Sequence, residues 1–205
     1  IIGLGCNDVP TAGGGQYWPS AHIKDDGRDH ARGFDANERK RDEFIVDVVR
    51  RLRKDVSQQD QLKIGKELLS TSPLLDITEF GRAVHAEMEA LLACSRSGSS
   101  PRDGILYSTT FPCHNCTKHI IGAGIKRVVY IEPYPKSRAE ELHDDAIFLE
   151  EHGEESSEKG KSKVRYQPFV GIGPRRYSDL FSMILGSGKI IKRKVEGGDK
   201  KSWNR

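Results

Sequence analysis

The chain has 205 residues, which bounds it to one domain or a domain with a large insertion. Apolar residues make up 36% and charged residues 31%, yet Val, Ile, Leu and Phe cluster in short runs, which excludes a fully disordered chain. No stretch reaches the ~18 apolar residues of a membrane span, and a formal charge of +3 argues against a dedicated nucleic-acid binder.

The chain opens at Ile1 in an apolar run, with no initiator Met and no signal-peptide pattern, and reads as a fragment or excised domain. Ile1–Gly5 predicts a short buried strand, ended by the turn formers Asn7, Asp8 and Pro10. Thr11–Gly33 is rich in Gly and Asp and reads as a long loop of the functional kind. From Asn37 to Val56 the pattern is helical, with Phe44, Val48 and Leu52 every four residues and Ile45, Val49 and Val56 beside them. The basic residues Arg50, Arg51, Arg53 and Lys54 fall between these and predict a solvated face. A second helix is expected over Gln59–Leu69 and another over Ala83–Cys94, after a cap at Asp76 or Thr78.

Gly104–Thr109 and Lys126–Ile131 predict strands, the second rich in β-branched and aromatic residues. Between them, Cys113–Ile121 predicts a short helix closed by Gly122 and Gly124. Arg138–Glu151 reads as a helix, Glu154–Lys163 as a polar loop, Val164–Phe169 as a strand and Arg176–Leu185 as a last helix. Helices alternating with short strands indicate an α/β layered domain. The domain is expected over 1–185, with an insertion at about 11–80, and residues 186–205 are expected to form a basic, mobile tail. Gly186-Ser187-Gly188-Lys189 is not a phosphate loop, because Met183 stands where its first Gly belongs and Ile190 follows the Lys.

Four cysteines without a signal peptide suit a reducing compartment, the cytoplasm, where thiols bind metal or catalyse. The informative constellation is His85-Ala86-Glu87 followed by Pro112-Cys113-His114-Asn115-Cys116. One imidazole and two thiolates from the starts of two helices make a three-ligand zinc site whose fourth position stays open to water, the pattern of a catalytic metal. This H-x-E…P-C-x-x-C arrangement is the known signature of the zinc deaminases. Glu87, beside His85 but free of the metal, suits a proton shuttle that takes a water proton, delivers it to a ring nitrogen and assists departure of ammonia. Glu89 is the rival base, since four residues on from His85 it shares that face. Cys94 lies roughly 180° around the helix from His85. Cys6 could still complete a structural site, and a ligand swap with His114 or His119 is the other alternative.

Gly5-Cys6-Asn7-Asp8-Val9-Pro10, Val84-His85-Ala86-Glu87 and Thr110-Phe111-Pro112-Cys113 through Cys116 resemble the deoxycytidylate deaminases. The longer segments Glu79–Glu87 and Phe169–Tyr177 are similar to bacterial anti-phage deoxycytidine nucleotide deaminases. In those proteins a deaminase domain follows an N-terminal P-loop kinase-like domain. The resemblance implies a cytidine-deaminase-like three-layer α/β/α fold around a mixed five-stranded sheet, here lacking its first helix and strand. It also implies a free deoxycytidine nucleotide as substrate and Zn2+ as cofactor; a homo-oligomer is expected, and the near-balanced charge makes a nucleic-acid partner unexpected.

By that resemblance Asn7 hydrogen-bonds the sugar or base, although Asn7 and Asp8 also suit a plain turn. Phe111 either stacks on the base or packs under the cysteine loop. Lys136, Arg175 and Arg176 are the candidate phosphate cations. Tyr134 is a candidate flank for the sugar, and Gly13-Gly14-Gly15 could bring backbone amides to a phosphate. The expected reaction converts dCTP or dCMP to the uracil form with release of ammonia, in phage defence by nucleotide depletion. The alternatives are a cytosine or adenine deaminase acting on nucleic acid and a zinc-stabilised interaction module without turnover.

Overall fold

A computed structural model of the chain describes residues 1–17, 26–150 and 162–172. Residues 29–68 contribute α1 (Asp29–Arg32), α2 (Ala36–Leu52) and α3 (Gln61–Leu68). Asp35 caps α2 by accepting the Glu38 N–H. The helix buries Ile45 and Val49 rather than the Phe44–Val48–Leu52 stripe, all three members of which stay exposed. The reason is on α3: Gly65 leaves a hollow, and a Cβ there would overlap Ile45 Cγ2. The basic run lies on a solvated face as expected, Arg50 and Arg51 pairing with Asp47 and Arg53 with Asp55.

A 3-10 turn at Pro73–Asp76 leads towards α4 (Ala86–Arg96). Beyond α4 the chain alternates β1 (Ile105–Thr110), α5 (His114–Gly122), β2 (Arg127–Glu132), α6 (Ala139–Leu142), β3 (Ile147–Leu149) and β4 (Val164–Pro168). The strands form one parallel sheet in the order β1-β2-β4-β3. Parallel neighbours need crossover connections, and α5 supplies one between β1 and β2. Leu106, Val128, Tyr166 and Leu149 stand in register across the four strands. They meet Ala90 and Leu91 of α4, Cys116 and Ile120 of α5, and Ala139 of α6, so these helices cover one face of the sheet and the core lies between.

The α/β class is as the alternation predicts, and four elements differ in detail. Among the described residues the sheet has four strands, all parallel, rather than a mixed five. Ile1–Gly5 makes no ladder; it lies along α4, where a Cβ on Gly5 would overlap the Ala86 carbonyl. Among the described residues one helical layer is present, and the opposite sheet face exposes Ile105, Tyr107 and Ile131. The helix expected over Arg138–Glu151 stops at Leu142, because the chain turns at His143 to enter β3 beside β4. The expected helix Arg176–Leu185 and the tail from Gly186 lie outside the described residues, as does most of the polar loop Glu154–Lys163. Among the described residues no helix is long and apolar enough to cross a membrane.

Candidate active site

Two helix starts face each other at the C-terminal end of β1. His85 is the N-cap residue of α4, with extended backbone and no capping bond from its side chain. Its ring is turned instead to the cysteines, with Nδ1 3.4 Å from both Cys113 Sγ and Cys116 Sγ. Cys113 is the N-cap residue of α5, and its sulfur accepts the Cys116 N–H at 3.4 Å. The C-x-x-C spacing therefore caps the helix and brings both thiols to one side of its first turn. Helix N-termini favour negative charge, which suits thiolates there.

The donor set fits a zinc ion. Bonds of ~2.0–2.1 Å to nitrogen and ~2.3 Å to sulfur at a tetrahedral angle separate the two ligand atoms by ~3.5 Å. All three ligand atoms lie within 4.8 Å of one another. The protons behave accordingly. A hydrogen bond from Cys116, supported by His85, holds the Cys113 thiol down at about 3. Cys116 is pushed far up by the Cys113 sulfur, by burial and by Glu87. His85 is raised by its contact with Cys113. A divalent cation at this point would stabilise both thiolates, since ligation requires the thiols deprotonated.

Glu87 sits in the first turn of α4, with Oε2 3.6 Å from Cys116 Sγ. The rival Glu89 is 5% exposed and tied to Arg96 in an ion pair on the same helix, which occupies its carboxylate. Among the described residues no fourth donor joins the cluster. Cys94 is buried and packs at Gly3, and Cys6 is exposed and donates to Gln16 Oε1 at 2.7 Å. His114 has its Nδ1 buried without a partner. His119 lines a cavity of about 240 Å³ beside His85 and Cys116, together with Glu79, Asn115 and Lys118.

Asn7 is exposed, one residue before Asp8, whose backbone bridges Val84 in the approach to His85. Phe111 is partly buried and packs against the core, its ring edge-on to Tyr130 at 4.9 Å and tilted against Tyr166 at 5.3 Å. Tyr134 and Lys136 are exposed in the loop after β2. Arg175 and Arg176 lie outside the described residues.

Three supports escape the sequence reading. Ser108 Oγ on β1 is 3.4 Å from Glu87 Oε1. The Tyr166 hydroxyl donates to Thr117 Oγ1, next to Cys116, at 3.0 Å. Arg82 donates to the Gly27 carbonyl and to Asp29, which ties the start of α1 to the segment leading into His85. Of the three, Arg82 alone had a signal, since it lies within the Glu79–Glu87 segment. Ser108 and Tyr166 look like ordinary strand residues until the sheet is assembled.

The family model of the cytidine and deoxycytidylate deaminase zinc-binding region matches residues 18–132. ComE operon protein 2 of Bacillus subtilis (strain 168) is 49% identical over 67 residues, 32% of this chain and 35% of that protein. The deoxycytidylate deaminase of Enterobacteria phage T4 is 44% identical over 55 residues, 27% of this chain and 28% of that protein. A dCMP deaminase from the cyanophage S-TIM5, solved in complex with dCMP and dUMP, is 25% identical. That match covers 42% of this chain and 52% of the solved one, with a TM-score of 0.30. The chain spans about a third or less of the length of these curated relatives.

Proposed function

This chain belongs to the cytidine and deoxycytidylate deaminase family, and from that premise we propose that it hydrolyses a free deoxycytidine nucleotide, dCMP or dCTP, to the deoxyuridine nucleotide and ammonia. The observation that carries the reading is the carboxylate of Glu87 beside the His85–Cys113–Cys116 cluster, 3.6 Å from Cys116 Sγ. His85, Cys113 and Cys116 would hold zinc. When bound, zinc supplies Lewis-acid activation of water.

The remaining work falls to Glu87. In the reaction, water adds across the N3=C4 bond of cytosine, the C4–N4 bond then breaks, and the amino group leaves as ammonia. Glu87 accepts a proton from the attacking water and gives it to N3. It then carries the next proton to the departing amine, so acid and base are one carboxylate. The ion pairs of the basic run at the end of α2 support a free nucleotide over a nucleic-acid strand. Arg50 and Arg51 share Asp47 and Arg53 pairs with Asp55, which dilutes the positive charge that a phosphate backbone would need. The relatives named deoxycytidylate deaminases support the cytosine nucleotide. The defence setting rests on the likeness of Glu79–Glu87 and Phe169–Tyr177 to anti-phage deaminases.

A nucleotide panel tests the reading. Zinc-loaded protein is given dCMP, dCTP, deoxycytidine and a cytosine-containing single-stranded oligonucleotide, and ammonia and the uracil product are measured. Turnover of dCMP or dCTP is expected, with deoxycytidine much poorer and the oligonucleotide inert. Rapid turnover of the oligonucleotide with inert nucleotides overturns it. Depletion of cytosine deoxynucleotides in phage-challenged cells, present with Glu87 and absent with Glu87→Gln, tests the defence setting.

A further inference from the structure

The carboxylate of Glu87 has two ends, and only one faces the metal cluster. Oε2 lies towards Cys116; Oε1 lies 3.4 Å from the hydroxyl of Ser108. Ser108 is one strand step beyond Leu106, on the face of β1 that meets the helices, and pairs in register with Tyr130. Its hydroxyl is held in place rather than free to rotate. It donates to the Thr110 carbonyl at 2.7 Å, and its oxygen lies 3.4 Å from the Thr110 N–H. The single hydroxyl hydrogen goes first to the Thr110 carbonyl, and Glu87 Oε1 is its second, longer acceptor.

We propose that Ser108 is a positioning residue for Glu87: its hydroxyl fixes Oε1 and so keeps Oε2 aimed at the His85–Cys113–Cys116 cluster. The inference rests on the deaminase reading of Glu87 given above. The need for such an anchor follows from the surroundings. Glu87 and Ser108 both line an apolar groove of about 800 Å³ between Ile1–Gly5, α4 and β1, whose walls offer a carboxylate little else to hold it. A glutamate has three side-chain torsions, and a proton carrier displaced by ~1 Å loses rate steeply. Ser108 also ties Glu87 to Thr110, three residues before Cys113, so the proton carrier and the metal loop hang on one strand end.

The test is Ser108→Ala beside Ser108→Thr. Ser108→Ala is expected to lower kcat about tenfold, the loss of one hydrogen bond to a charged group partly replaced by water. KM should stay within about twofold and zinc near one per chain. Ser108→Thr, which keeps the hydroxyl, is expected to restore kcat to within about threefold. A second readout needs no turnover: the change in Tm of the zinc-loaded protein on Ser108→Ala, measured with Glu87 and again on a Glu87→Ala background. Coupling, with the shift present in the first and lost in the second, is expected. Additive Tm shifts, or wild-type kcat in Ser108→Ala, overturn the proposal. Wild-type protein that binds zinc yet deaminates no cytosine nucleotide overturns the deaminase reading instead, and the thermal cycle still decides whether Ser108 holds Glu87.

Discussion

Replacing Tyr166 by Phe probes how the core holds the metal helix in place. Tyr166 is 0% exposed and stands in the Leu106–Val128–Tyr166 row of the sheet, and Thr117 of α5 is also 0% exposed. The phenol stays neutral, its ionisation pushed up chiefly by burial, and it donates to Thr117 Oγ1 at 3.0 Å. Tyr166→Phe leaves that hydroxyl without its donor in a dry core, a cost of about 1–3 kcal/mol. For a chain of this size the loss lowers Tm by ~2–12 °C. Thermal unfolding of the zinc-loaded protein by circular dichroism reads it directly. The reasoning makes a stronger demand on the pair. Thr117→Val should also destabilise, yet the double variant Tyr166→Phe/Thr117→Val should be less destabilised than the two single losses together. Removing both partners leaves no orphaned polar group. Strict additivity, or a Tyr166→Phe protein as stable as the original, would refute a buried bond that supports α5.

Cys113→Ala removes one of three ligands and a helix cap, so metal analysis should find little zinc bound; full retention would mean that the cluster is not the metal site. Glu87→Gln keeps shape but cannot accept the proton, so turnover should fall ~10²–10⁴-fold with zinc content unchanged. Glu89→Gln should instead lower Tm and leave the nucleotide reaction near wild type, because its carboxylate is engaged by Arg96. Asp26 is held down from 3.8 to about 2 by hydrogen bonds from Arg28. A carboxylate with a depressed folded value stabilises above its unfolded value and loses that contribution as the pH falls. Asp26→Asn should therefore flatten the fall in Tm between pH 4 and pH 2, and an unchanged pH profile would count against the Asp26–Arg28 clasp.

The metal chemistry was readable along the chain because it is local. H-x-E puts a ligand and a carboxylate on one helix start, and C-x-x-C turns two thiols to one side of another. The strands were readable for a similar reason: their β-branched and aromatic runs lie between Gly and Pro breaks, and β1, β2 and β4 fall within one or two residues of expectation. Periodicity could not choose the buried face of α2. Phe44, Val48 and Leu52 fit a helical stripe as well as Ile45 and Val49 do, and the choice fell to Gly65, whose missing side chain admits Ile45. The helix expected from Arg138 ended at Leu142 because a place beside β4 stabilises 147–149 as a strand, and a pairing partner in space leaves no local trace. The same limit separates Glu87 from Ser108. Two residues from His85, Glu87 announces itself by spacing, whereas Ser108 acquires meaning only when β1 lies across from α4 and brings its hydroxyl within 3.4 Å of that carboxylate.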